Sequence, residues 1–521
     1  MKKLNIFLVA LTMLLMASCG QKEKSKTVSA DEKSAAKIES PTLKMTTTIP
    51  KSIITPDEVK TSIGSLEFFD GVPTNKTTAS VYDYLDRARA VQVFLDAMPV
   101  VSMYQCIQGQ ADAGAKECNE VHLYEKLMDS KTMLLTGNTS TMYMFAALDL
   151  KKDGPTVIEL PPGMLGVLDD AAFDYMVDLG IAGPDKGKGG KYLVLPPGYE
   201  GDIPSGYFVV KSKTYRVWNF MRGYLDKGIE AAANNFKDNL KVYPLNKKEN
   251  PPKMKFINAS GMEGVNTVLP NDYTFYEALN EVIQREPIGF LNPETTGLIA
   301  SIGIIKGKAF NPDARMKKIL VDAAAIGNAS ARAITFYPRD PGQPTYKDGN
   351  SAWLNVWADK NTTYLREGAR LLDARAWFHY NCIVVSPAMA VTVAGKGSDY
   401  TIGGLDSNHK PLDGSKTYKL HLPPNPPAKD FWAITIYDTQ TRSQLQTDQQ
   451  YPTVGSQDKG IKQNADGSYD IYFSPEAPVG MEGNWLQTVP GKSWLIALRM
   501  YGPLQPWIDQ TWRPGEIELV K

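Results

Sequence analysis

Asp413-Gly414-Ser415-Lys416-Thr417-Tyr418-Lys419-Leu420-His421-Leu422 places an Asp-Gly pair directly ahead of a strict apolar–polar alternation. Successive side chains of a strand point to opposite faces, so Tyr418, Leu420 and Leu422 predict one buried face, and Lys419 and His421 a wetter one. The pattern recurs after Asp466-Gly467, where Tyr469, Ile471 and Phe473 alternate with Asp470, Tyr472 and Ser474. Asp-Gly accommodates the positive φ of tight turns, so both pairs predict hairpins. Trp432–Tyr437 and Trp494–Tyr501 read as further strands, as do Thr156–Leu160, Tyr192–Leu195 and Tyr207–Val210 much earlier in the chain. Seven or more short strands separated by turns suit antiparallel sandwiches rather than a parallel sheet.

Between and ahead of these strands the period changes. Ser80-Val81-Tyr82-Asp83 resembles a capping box, Val81, Leu85, Ala88, Leu95 and Met98 follow at helical spacing, and Pro99 marks a stop. Thr274-Phe275-Tyr276-Glu277 opens a second helix that ends before Pro287. Asn311-Pro312 reads as an N-cap with proline in the first turn, and Gly327 as the close of the helix carrying Met316, Ile319, Leu320 and Ala323. The expectation is a mixed, β-rich chain: two β-bodies joined by a helical middle segment.

The 521 residues suffice for two or three domains, and the 57 basic and 57 acidic residues cancel. Without a basic excess to grip phosphate backbones, nucleic acid is excluded as a partner. Four histidines, none paired at i, i+2 or i+4, predict no metal site. No G-x-S-x-G, H-E-x-x-H or Walker A sequence is present, and Gly187–Gly190 precedes a strand rather than a helix, so no cofactor is expected.

Lys2 and Lys3 precede an apolar run from Ile6 to Met16 and then Ala17-Ser18-Cys19. A charged start, a short apolar stretch and small residues make up a secretory signal, too short to span a membrane as a mature helix. Leu15-Met16-Ala17-Ser18-Cys19 resembles a bacterial lipobox, which implies cleavage before Cys19 and a lipid anchor on it. From Gly20 to Glu67 there is no Phe, Trp or Tyr, polar and small residues dominate, and Pro41 and Pro50 interrupt the run, so the segment reads as a flexible tether. The expected address is the bacterial cell envelope, as an outer-membrane lipoprotein facing the periplasm or the cell surface. In such an oxidising compartment Cys106 and Cys118 are candidates for a short-loop disulfide.

Leu134-Leu135-Thr136-Gly137-Asn138-Thr139 with Tyr143, Leu148-Asp149-Leu150, and the Gly183–Tyr199 stretch resemble the domain family of unknown function numbered 1254. Tyr437-Asp438-Thr439-Gln440-Thr441-Arg442, Asn484-Trp485-Leu486-Gln487-Thr488 and Leu498-Arg499-Met500-Tyr501-Gly502-Pro503 resemble its usual C-terminal partner, the family numbered 1214. The resemblance implies two antiparallel jelly-roll-like β-sandwich domains in an often oligomeric protein. The resulting organisation is a signal peptide at 1–18, a tether at 19–60, an N-terminal sandwich with a leading helix at 61–222, a helical middle at 223–335 and a C-terminal sandwich at 336–521.

Polar residues set inside apolar strands mark the candidate site. Arg499 shares its predicted strand face with Leu495, Ala497 and Tyr501, and a charge on such a face needs a partner if buried. It pairs with a carboxylate within the sandwich, or else Arg442 or Arg499 recognises an anionic or carboxylate ligand through its planar fork. Asn138, Tyr143, Arg442, Trp485, Arg499 and Tyr501 are the candidate ligand-binding residues, and Tyr143, Asp149 and Asp438 the candidate acid–base groups. Three functions follow: binding of a small organic or glycan ligand in or between the sandwiches, hydrolysis of a small molecule or saccharide, or a structural envelope oligomer. The expected partners are the membrane through Cys19, that ligand and further copies of the chain.

Overall fold

The computed structural model describes residues 43–520. The signal peptide, Cys19 and most of the expected tether lie outside the described residues. Regular structure among the described residues starts before the expected boundary at 61: a helical turn at Lys51–Ile53 precedes a small antiparallel sheet of Glu58–Thr61, Gly64–Phe69 and Val72–Pro73.

In the N-terminal sandwich a six-stranded sheet runs in the order Lys255–Asn258, Glu120–Leu123, Met142–Asp149, Arg216–Gly223, Met164–Asp170, Tyr175–Gly180. It packs on a four-stranded sheet in the order Phe208–Lys211, Gly190–Leu195, Thr156–Leu160, Lys241–Pro244. The C-terminal sandwich pairs a five-stranded sheet (Trp353–Asn355, Ser398–Gly403, Trp494–Pro503, Ala428–Asp438, Thr453–Gly455) with a four-stranded one (Trp485–Gln487, Tyr469–Ser474, Tyr418–Leu422, Ile517–Leu519). The ladders are antiparallel apart from three edge pairs, 208–211 with 190–195, 255–258 with 120–123, and 469–474 with 485–487, which are parallel. Two strands that lie after residue 222, 241–244 and 255–258, complete the N-terminal sheets.

The two alternating stretches are strands, and they pair with each other: Tyr418 opposes Phe473, Leu420 opposes Ile471 and Leu422 opposes Tyr469. Neither Asp-Gly pair makes the predicted hairpin. Each ends a loop arriving from the other sheet, and the pairing of the two strands is long-range.

Helices fill the space between the sandwiches. Asn75–Asp96 starts ahead of the predicted capping box, because Thr74 accepts a hydrogen bond from the Thr77 amide and caps it. Pro99 does not end the helical region; it sits in the first turn of a new helix, Met98–Asp112, bent by 54° from the first. Asp313, not Asn311, caps the helix Ala314–Phe336 by accepting from the Met316 amide. That helix is the one described helix long and apolar enough to cross a membrane by itself, and here it packs against Asn75–Asp96 and Leu372–Asn381.

Gly327 lies inside that helix rather than at its end. A Cβ there would stand 2.6 Å from two ring carbons of Phe94, whose ring is stacked on Phe275 and fully buried. Alanine normally favours a helix over glycine by about 1 kcal/mol, but over-packing a rigid contact costs about 1–3 kcal/mol. Gly327→Ala is therefore expected to lower stability by about 1–2 kcal/mol, read as a lower urea midpoint. A raised midpoint would show that the helices can part at no cost.

Three cores result. One fills the N-terminal sandwich, one the C-terminal sandwich, and a third joins both through the helices. The central strands serve two of them at once. On Met142–Asp149, Met142, Met144, Ala146 and Leu148 face the N-terminal sandwich core, while Tyr143 and Phe145 face the shared core. On Trp494–Pro503, Ile496, Leu498 and Met500 face the C-terminal core, while Leu495 and Ala497 face the shared one.

Candidate functional site

The loop Leu134–Thr141 leads into the Met142–Asp149 strand, and its shape comes from Asn138. The Asn138 Oδ1 accepts from the amides of Ser140 (2.9 Å) and Thr141 (3.1 Å), a local turn that side-chain amides favour. The Asn138 amide in turn donates to the Tyr143 hydroxyl at 3.1 Å. The rest of the loop is gripped by the other domain. The Thr136 amide donates to the Arg442 carbonyl (2.8 Å), Arg499 Nη2 donates to the Thr136 carbonyl (2.8 Å), and the Tyr437 hydroxyl donates to the Gly137 carbonyl (2.8 Å).

Beside this loop lies a cavity of about 40 Å3, walled by both sandwiches and by the Cys382–Val384 segment. By volume it holds about three waters. Asn138, Tyr143, Arg499 and Tyr501 all line it, so four of the six ligand-binding candidates converge. Arg499 is 7% exposed and lies 5.8 Å from the Tyr400 ring and 5.7 Å from the Tyr437 ring. Its Nη1 donates to Thr435 Oγ1 at 3.3 Å. A guanidinium carries five N–H donors, and the contacts with Thr136 and Thr435 use only two.

Arg222, absent from the sequence-derived candidates, lines the same cavity. It extends from the Arg216–Gly223 strand, opposite Tyr143 in the ladder, with its guanidinium 5.5 Å from the Tyr143 ring and 5.2 Å from the Phe220 ring. Its buried Nε has no hydrogen-bond partner, and neither do the buried hydroxyls of Tyr400 and Tyr501. Burial pushes both of those hydroxyls above the usual tyrosine range, so they are protonated donors. The alternation Trp218, Phe220, Arg222 carries the signal that marked Arg499, a cation on an apolar strand face.

No carboxylate and no imidazole lines the cavity. Asp399, next to Tyr400 in the chain, turns away to Lys360 Nζ (2.8 and 2.9 Å), Thr392 Oγ1 (2.6 Å) and Trp507 Nε1 (3.0 Å). Cys382 reaches the wall, but burial first of all pushes its thiol up to about 12, which leaves it protonated.

The remaining candidates lie elsewhere. Asp149 ends its strand, caps the short helix Leu150–Asp153 and binds Arg216 and Arg285. Burial alone would raise its pKa, yet Arg285 and then Arg216 hold the carboxyl below the usual range. Asp438 accepts from the Gln440 amide at 2.6 Å and binds Lys492 Nζ at 2.5 Å. Arg442 is 1% exposed, stacked 3.9 Å over the Tyr380 ring, and donates from Nε to the Tyr380 carbonyl at 3.0 Å. It braces the Leu372–Asn381 helix against the C-terminal sheet and does not line the cavity. Trp485 is half-buried and donates from Nε1 to the Ser474 carbonyl at 2.9 Å. The other eight tryptophans are buried.

The disulfide expectation is corrected. Cys106 and Cys118 are both free, because they belong to different cores: Cys106 to the shared core and Cys118 to the N-terminal sandwich. Burial pushes the Cys118 thiol up to about 12. His379 lies in an aromatic nest, 5.1 Å from Phe173 and from Phe378, and burial keeps it neutral. Among the described residues no group of three or more His, Cys, Asp or Glu side chains is placed to hold a metal ion.

The fold and cavity define a class: a two-sandwich protein with a small cavity between its domains. Residues 118–244 match the family described as protein of unknown function (DUF1254), and residues 397–505 the family described as protein of unknown function (DUF1214). The chain carries a DUF1254 domain followed by a DUF1214 domain. Both matched segments contribute to the cavity, Tyr143 and Arg222 from the first, Tyr400 and Arg499 from the second.

Among solved structures the chain is similar to the VPA0106 protein from Vibrio parahaemolyticus, at 18% identity and a TM-score of 0.49, over 84% of this chain and 100% of that one. It is also similar to an uncharacterized protein from Burkholderia cenocepacia, at 12% identity and a TM-score of 0.36, over 86% of this chain and 90% of the other. No curated protein matches this chain.

Proposed function

We propose that this chain is a lipid-anchored protein of the bacterial cell envelope that binds a small organic ligand between its two sandwiches. The lipobox-like Leu15–Cys19 supports the anchor and the address. The observation that carries the binding reading is the set of buried, partnerless donors from both domains, Arg222 Nε, Tyr400 Oη and Tyr501 Oη, around one cavity. Buried polar atoms are nearly always satisfied in folded proteins, so a cluster of unsatisfied donors marks a place where another molecule completes the bonding. Hydrolysis finds less support: Asp149 and Asp438 are tied into ion pairs away from the cavity, and nothing on its wall is poised to take a proton. A stacking platform of open indoles for a glycan likewise has no support in the burial of the tryptophans.

The test is mass spectrometry of an envelope extract incubated with the purified protein, comparing compounds retained, consumed and produced. The expected result is a compound retained unchanged by the wild type and not by Ala497→Phe, which fills the cavity from a small buried wall residue. A compound consumed with a matched product would replace binding by catalysis. Retention of nothing, or equal retention by the filled variant, would overturn the cavity as a binding site and leave the structural-oligomer reading in its place.

A further inference from the structure

The cavity wall has a one-sided polarity. Of the twenty residues that line it, two are arginines and none is acidic. Neither Arg222 nor Arg499 forms an ion pair with a carboxylate among the described residues; Arg499 reaches a carbonyl and a hydroxyl, and Arg222 the faces of two rings. A buried cation without an anion costs several kcal/mol, and stacking on aromatic faces returns about 0.5–2 kcal/mol. This chain brings two cations to one space, one from each domain, Arg499 buried and Arg222 half-buried with its Nε out of reach of solvent, and adds two buried tyrosine hydroxyls that have no acceptor. Charged and hydroxyl donors accumulate there, and no anion on the wall answers them.

We infer that the ligand of this cavity is a small organic carboxylate, whose oxygens take the free donors of Arg222 and Arg499 and of the Tyr400 and Tyr501 hydroxyls. The inference rests on the interdomain cavity being the binding site, as proposed above. A planar carboxylate matches the guanidinium fork, which donates two parallel N–H bonds to such a group. Apart from Thr136, Asn138 and Ser398, the rest of the wall, including Leu135, Ile383, Ile402 and Ala497, is mainly apolar and suits a short hydrocarbon body. The volume of about 40 Å3 limits that body to a few carbon atoms in this conformation. The carboxylate also closes the charge balance between the domains, since it supplies the anion that neither sandwich provides.

The test uses the purified protein and matched probes at constant ionic strength: acetate and propionate, their neutral isosteres acetamide and propionamide, and inorganic phosphate and sulfate. Affinities are read by titration calorimetry and by the shift in unfolding midpoint. Acetate or propionate is expected to bind at least tenfold more tightly than its amide and than phosphate or sulfate. Arg222→Gln, which alters a residue that is only half-buried, is expected to fold normally and to weaken the carboxylate at least tenfold, bringing it level with the amide. Arg499→Gln is expected to do the same, and Arg222→Gln keeps the test decisive if that variant fails to fold. Ala497→Phe is expected to abolish binding of every probe. Equal binding of amide and carboxylate, lost in Ala497→Phe but unchanged in Arg222→Gln, would overturn the carboxylate and leave the cavity standing. A preference for phosphate or sulfate would overturn it equally. Carboxylate binding that survives Ala497→Phe would show that the site lies elsewhere and overturn the cavity reading itself.

Discussion

Asp170→Asn is expected to stabilise this protein above neutral pH and to leave it unchanged in acid. Asp170 ends the Met164–Asp170 strand and is 3% exposed. Its Oδ1 accepts from the amides of Ala172 (2.8 Å) and Asp174 (3.0 Å), which shapes the turn that sets Phe173 into the shared core. Burial, and then the neighbouring Asp174 carboxylate, push its pKa up to about 7, against the two amide bonds and Lys213. A carboxyl whose pKa is raised by folding holds a proton in the native state that the unfolded chain has released.

Stability is therefore full below the ordinary carboxylate pKa, falls as pH rises from about 4, and stops falling once pH passes about 7. The gap between those values corresponds to about 4 kcal/mol. Asparagine keeps an oxygen for the two amides and does not titrate. Urea midpoints of wild type and variant should coincide near pH 4 and separate in the variant's favour by pH 8. Parallel curves across that range would show that Asp170 ionises inside the fold at little cost.

Gly109→Ala is expected to destabilise by about 3 kcal/mol, against the usual preference of helices. Gly109 lies within Met98–Asp112, where a Cβ would fall 2.0 Å from the Asn266 carbonyl oxygen. That oxygen also accepts from Gln105 Nε2 at 3.1 Å. The flanking residues are bonded to Met133, whose amide donates to the Val265 carbonyl (3.0 Å) and whose carbonyl accepts from the Thr267 amide (2.9 Å). Relief by moving the 265–267 backbone would drag on Met133 and then on the Leu134–Asn138 wall of the cavity. Gly297→Ala is the control, since Gly297 is an exposed helix position with open space around its Cα. The control should gain up to about 1 kcal/mol in urea, and a gain at Gly109 as well would show that the Asn266 backbone is free to retreat.

The parts of the fold legible in the sequence were those written at the strand period. Tyr418-Lys419-Leu420-His421-Leu422 declares its buried face directly, and the same logic set Arg499 on a face with Ala497 and Tyr501, where the cavity lies. The pairing was not legible, because Asp-Gly reports a local turn, whereas the partners of 418–422 are 469–474 and 517–519. Helix ends were misplaced where a side chain three residues from an amide wins the cap: Thr74 and Asp313 each outcompete a more conspicuous local signal. Asp149 and Asp438 were drawn as acid–base candidates from motif position alone. Their partners, Arg285 and Lys492, are 136 and 54 residues away and carry no local mark. Arg222 was missed although its alternation with Trp218 and Phe220 equals that of Arg499, since the 216–223 stretch was not among the segments read as strands.

The double duty of the central strands has a thermodynamic consequence. Tyr143 and Met144, or Leu495 and Ile496, are chain neighbours that belong to separate cores. Unravelling either sandwich alone would strip one wall from the shared core and expose the other domain's aromatic face to water, at a cost proportional to the apolar area uncovered. The structural domains that an eye would cut at the helical layer are thus not independent units of stability. Cooperativity is expected to run through the layer, so that the two sandwiches unfold in a single transition.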